Sequence, residues 1–184
     1  PETQPHMKNF PFVKELERGA SVNQLLVGNP TDRALLLYEG EQVVGAQQDR
    51  TMDNNVLVGA GAQIEVPVSC VEAGRWDGGR HGEHFMPAPH ADDPSLRRAK
   101  RESAMRSADQ GFAGRPEQAE VWREVGSRLQ RFGVDSQSAK FGDLFEQRSG
   151  EIGALADDIE PQPGQVGALA CVGDDALDHR RRHG

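Results

Sequence analysis

The chain has 184 residues, 36% of them hydrophobic and 27% charged, with a formal net charge of −8. That length suits one domain around one ordinary core, and the acidic balance argues against a general nucleic-acid binder, which needs a basic face. No run approaches the roughly 18 apolar residues of a membrane-spanning helix, and no basic segment followed by an apolar one marks a secretory leader.

Two cysteines, Cys70 and Cys171, make neither a disulfide framework nor a four-ligand zinc site. A reducing cytoplasm is the expected setting. The chain opens at Pro1 and closes on His179-Arg180-Arg181-Arg182-His183-Gly184. That end reads as truncated or non-native, so 173–184 is expected to be a loosely packed charged tail.

Residues 1–21 form a polar N-terminal segment with a short amphipathic piece from Phe12 to Arg18. A single α+β domain is expected over 22–172, with strands mainly in 22–72. The first is Val22 to Val27, followed by the turn Asn29-Pro30-Thr31-Asp32, with Pro at a preferred turn position. Arg33 to Tyr38 is the second, and its Leu35-Leu36-Leu37 run suggests cover on both faces. Val43-Val44 and Asn54 to Val58 come next. Gln63 to Val71 has the clearest pattern: Ile64, Val66, Val68 and Cys70 alternate with Gln63, Glu65, Pro67 and Ser69. Pro67 lacks a donor, which predicts an edge strand or a bulge. Together these strands predict an antiparallel sheet or small sandwich.

Residues 73–94 are expected to be a long loop rich in Gly, His, Pro and Asp. The period then changes to helical, and 95–158 are expected to be mainly helices. Asp93-Pro94-Ser95 is a helix start, with Asp as cap and Pro in the first turn. Val121, Trp122, Val125, Leu129 and Phe132 form an apolar stripe at helical spacing. Pro161 to Gly164 reads as a turn and 164–172 as a returning strand. Strands, then helices, then a strand argue α+β rather than alternating α/β.

Three stretches carry a resemblance: GEQVVGAQQDR at 40–50, VPVSCVEAGRW at 66–76 and GQVGA at 164–168, with QAEVW at 118–122 in support. Over roughly residues 20–178 the chain resembles the bacterial ARG and Rhodanese-Phosphatase-superfamily-associated Protein domain family, ARG meaning ADP-ribosylglycohydrolase. The resemblance implies no known activity; by association it implies work alongside ADP-ribose and NAD metabolism. Asp49 stands where the family usually has Asn.

Gln47, Gln48, Asp49 and Arg50 follow a hydrophobic strand, where polar side chains can converge at a sheet rim. An Arg fork suits phosphate or carboxylate, and amides read sugar hydroxyls or base edges. Alternatively they form a solvated turn with a structural ion pair. Glu72, Arg75 and Trp76 come where the next motif leaves the sheet. Glu72 could have a raised pKa and act as a general base, Arg75 could hold an anion, and Trp76 could stack on a base or sugar. Against this, Glu72 and Arg75 could pair with each other or with Arg50 and Glu41, and Trp76 could plug the core rim. Cys70 shares the face of Ile64, Val66 and Val68 and is expected in the core rather than as a nucleophile. His81, His84, His90, Asp92 and Asp93 are too irregularly spaced to predict a metal site, so neither metal nor cofactor is expected. The basic run Arg97 to Arg101 reads as a solvated helix face.

Two readings remain open on the sequence. In one, Gln47, Gln48, Arg50, Arg75 and Trp76 bind a nucleotide-like small molecule, with Glu72 as catalytic base. In the other, the same charged motif holds together a non-catalytic accessory or interaction module. An open shared cleft favours the first and a buried, satisfied ion network the second.

Overall fold

The computed structural model describes residues 10–76, 84–111, 114–157 and 162–166. Eight strands are seen: β1 (Phe12–Lys14), β2 (Gln24–Gly28), β3 (Leu35–Leu37), β4 (Glu41–Gly45), β5 (Arg50–Met52), β6 (Val56–Val58), β7 (Gln63–Cys70) and β8 (His84–Ala91). Four helices follow: α1 (Pro94–Asp109), α2 (Gln118–Arg131), α3 (Gly142–Gln147) and α4 (Ser149–Asp157). The fold is α+β, with an antiparallel sheet followed by helices.

The sheet is neither open nor a sandwich. Six strands close into an antiparallel barrel in the order β1-β2-β7-β5-β4-β8, and β3 pairs with β6 in a separate ribbon. Closure depends on two strands that the sequence pattern does not predict. β1 lies in the expected polar segment, and Phe12, Val13 and Lys14 pair with Gly28, Val27 and Leu26. β8 lies in the expected loop and joins β1 to β4. Closing the ring removes the edges that an open sheet would expose.

Period two sets the faces. In β7 Ile64 opposes Val27 and Val66 opposes Leu25, while Val68 opposes Met52 of β5. These residues, with Val43 and Phe85, form the barrel core. Pro67 is not at an edge, because β7 is paired on both sides. Its carbonyl accepts from Asp53 N–H at 3.2 Å, whereas the Val68 N–H donates to Asn23 on the β2 side at 3.1 Å. The donorless nitrogen therefore faces the flank beyond Met52, where β5 has ended. Leu36 is 43% exposed, so the Leu35–Leu37 run is covered on one face only.

A second core lies outside the barrel: Val71, Leu96, Val121, Val125, Leu129 and Phe141. Val125 and Leu129 pack there as the helical stripe predicts, but Trp122 is only half-buried and stands outside the cluster. α1 starts as expected, with the Asp93 carboxylate accepting the Leu96 N–H at 2.8 Å. Its basic run is a solvated face only in part: Arg98 and Arg101 are exposed, but Lys100 is not. Lys100 is 2% exposed and its ammonium donates to Thr51 Oγ1, the Met52 carbonyl and Asp92 Oδ2 within 3.0 Å, with Asp53 at 3.2 Å.

The chain divides into two units, Pro1–Arg148 and Ser149–Gly184. In the second, α4 is followed by a described turn at 163–164. The returning strand over 164–172 lies outside the described residues from 167 onward, as does the charged tail.

Candidate functional site

The turn after β4 is the foundation of the charged site. Gly45 and Ala46 both have positive φ, 122° and 42°; the second is uncommon for a residue with a Cβ. Two groups hold this backbone. Asp49 Oδ1 accepts the Gly45 N–H at 3.0 Å, and Arg75 Nη1 donates to the Ala46 carbonyl at 2.7 Å. The turn places Gln47, Gln48 and Asp49 in the interior, at 0%, 3% and 2% exposure, before β5 opens at Arg50.

Glu72 follows β7 and is 2% exposed. Arg75 Nε donates to its two oxygens at 2.9 and 3.0 Å, and Nη2 donates to Oε2 at 2.7 Å. Ser138 Oγ adds a bond to Oε1 at 2.8 Å and the Asp49 N–H one to Oε2 at 3.2 Å. Arg75 Nη2 also reaches Asp49 Oδ1 at 3.1 Å, and Lys140 Nζ stands 3.9 Å from Asp49 Oδ2. Two carboxylates and two cations thus meet around one turn. Gly74 makes the approach possible, since a Cβ there would come within 2.8 Å of the Ser138 backbone.

The two acids are driven apart. Burial pushes Glu72 up, but the hydrogen bonds from Arg75, Ser138 and the Asp49 backbone together outweigh it and hold the carboxyl below its ordinary value of 4.5. The raised pKa expected of Glu72 is therefore not found. Asp49 has the raised pKa instead: burial and the nearby Glu72 charge outweigh the Gly45 N–H, Lys140 and Arg75.

Arg50 is not at the rim. It opposes Cys70 in register and is 0% exposed. Its Nη2 lies 3.6 Å from Glu15 Oε1, itself fully buried, and its Nη1 donates to the Gln48 carbonyl at 2.8 Å. Trp76 covers this end of the barrel, its ring centroid 5.8 Å from the Arg50 guanidinium carbon, and is 48% exposed. The Gln47 amide has no hydrogen-bond partner among the described residues. Gln48 Nε2 makes a long contact of 3.5 Å with the Ala73 carbonyl.

The structure thus joins Glu72 to Arg75 and Arg50 to Trp76, but gives the two pairs different partners. Ser138, Lys140 and Glu15 were missed as members. Asp49 was named among the polar turn residues, but its contact with Arg75 was not foreseen. Four cavities among the described residues, of about 550, 150, 680 and 260 Å³, have none of Gln47, Gln48, Arg50, Glu72, Arg75 or Trp76 on their walls.

Cys70 is buried and free, and burial pushes its thiol up to about 11. Among the described residues no group of three His, Cys, Asp or Glu side chains is placed to hold a metal ion; His81 lies outside them. No described helix is long and apolar enough to cross a membrane.

Among known families, the model of the ARG and Rhodanese-Phosphatase-superfamily-associated Protein domain matches residues 9–178. Neither the curated proteins nor the solved structures contain a match.

Proposed function

The chain belongs to the ARG and Rhodanese-Phosphatase-superfamily-associated Protein domain family, and we propose that it acts as a non-catalytic accessory or interaction module whose charged motif is structural. One observation carries this reading: the Glu72 carboxylate is enclosed and accepts from Arg75, Ser138 and the Asp49 backbone. An acid so engaged has no free lone pair to take a substrate proton, and its lowered pKa makes it a weaker base. The full burial of Arg50 beside Glu15 supports the same reading, because a guanidinium that binds a phosphate must be reachable. The buried free thiol of Cys70 fits a reducing cytoplasm.

The competing reading, an ADP-ribose- or NAD-like ligand held by Arg50, Arg75 and Trp76, makes a clear demand. A site filled at 100 times its dissociation constant stabilises the fold by roughly 2.7 kcal/mol, a melting shift of about 5–10 °C for a domain of this size. Melting curves with millimolar NAD and ADP-ribose are expected to superimpose on the unliganded curve. A shift of that size, lost in Arg75→Lys, would overturn the proposal.

A further inference from the structure

The cavity of about 550 Å³ lies apart from the charged motif, where β1 and β8 separate. β8 pairs with β1 only at His84 and Phe85, whereas β4 accompanies it to Ala91. Phe12 on one side and Pro87 to Ala91 on the other flank the opening; Leu35 and Leu37 of β3 close one wall; Val43, Met52 and Phe85 of the barrel core form the floor. The volume is in the range of small-molecule sites, which are mostly apolar with a few placed polar groups.

Charge selects the ligand. Among the described residues no Lys or Arg lies on the wall, and Glu41 is its one carboxylate. Glu41 Oε2 accepts the Tyr38 N–H at 3.0 Å, while Oε1 accepts no hydrogen bond among the described residues. Of the other polar wall groups, Gln42 Nε2 donates to Asp92 Oδ1 at 2.7 Å and the Gln42 oxygen meets His90 Nε2 at 3.1 Å, while His90 Nδ1 is buried without a hydrogen-bond partner among the described residues; with Nε2 as the donor to Gln42, Nδ1 is a lone-pair acceptor. An anion would find no cationic partner among the described wall residues and would face a carboxylate. A strand-like peptide is also disfavoured. Pro87 and Pro89, two residues apart, take two donors from one edge of β8, and a proline inside a ladder keeps its nitrogen on the unpaired side.

We propose that this cleft binds a small molecule with an apolar body and a protonated amine, the body on Phe12, Leu35, Leu37, Met52 and Phe85 and the amine against Glu41. The site shares no residue with the charged motif, so its success or failure leaves the reading of that motif untouched.

Three probes with one apolar body test it: 4-phenylbutylamine, 4-phenylbutanol and 4-phenylbutanoate, titrated into full-length protein carrying labelled Leu and Met methyls. The amine is expected to shift the Leu35, Leu37 and Met52 methyls in NMR spectra and to bind tightest, the carboxylate weakest. Glu41→Gln, at a half-exposed position, is expected to weaken the amine about fivefold and to leave the alcohol unchanged. Leu36→Asn, at the exposed lip of the wall, is expected to weaken amine and alcohol alike. Silence of these methyls to millimolar amine would overturn the proposal, as would a carboxylate that binds as well as the amine, or an amine preference that survives Glu41→Gln.

Discussion

Glu72 is buried with donors on both oxygens, and its lowered pKa has a sign that can be measured. A carboxyl whose folded pKa lies below its ordinary 4.5 adds stability that is whole above 4.5 and is lost as pH falls through the folded value. Asp49 acts in the opposite sense: its raised pKa means that acidification relieves a burial penalty. Urea midpoints measured from pH 6 down to pH 3 are therefore expected to fall less steeply in Glu72→Gln than in the parent. An unchanged slope would show that the Arg75 fork contributes nothing. Cys70 gives a second residue-scale expectation. With its thiol pushed to about 11 and enclosed, it should resist iodoacetamide at pH 8 in the folded protein and react on addition of denaturant, since the thiolate is the nucleophile. Mass spectrometry of the modified peptide distinguishes the two. The Glu72–Arg75 pair was legible in the sequence because its members are three positions apart. Its remaining partners were not: Ser138 is 66 positions away from Glu72, and only the fold brings it there.

At the scale of elements, the buried Lys100 ammonium ties α1 to β5 and the residues beside it. Lys100→Ala would leave Asp92 and Asp53 buried without their cation, and breaking such a pair costs about 3–5 kcal/mol. Chemical denaturation checks this; a loss below 1 kcal/mol would mean that the network is solvated. Lys100 looked as solvated as its exposed neighbours Arg98 and Arg101 because composition reveals a charge but not the carboxylates of Asp53, just past β5, and Asp92, just past β8, that the fold brings to it. Gly74→Ala is expected to cost about 1–3 kcal/mol, the range for overpacking, because the new Cβ meets backbone at Ser138 rather than a side chain able to move. β7 was readable because its alternation runs over eight residues. β8 has the same length but hides behind Pro87, Pro89 and two histidines, residues that favour a loop reading, and β1 is too short at three residues to show a period.

For the whole molecule, the switch from period two to period 3.6 placed strands before helices and so gave the α+β class, while barrel closure depended on the two strands without a pattern. The candidate residues were found at one end of that barrel, yet their division into a Glu72–Arg75–Asp49 cluster and an Arg50–Glu15 pair is a property of which strand face each occupies. The central claim is that this charged motif supports the fold. Equilibrium denaturation of Arg75→Ala without any added ligand tests it most directly. Arg75 is 30% exposed, but the Glu72 and Asp49 carboxylates it serves are 3% exposed, so their loss of a partner is predicted to cost about 2–4 kcal/mol. A variant as stable as the parent would contradict the account and return Arg75 to the role of a ligand-binding group.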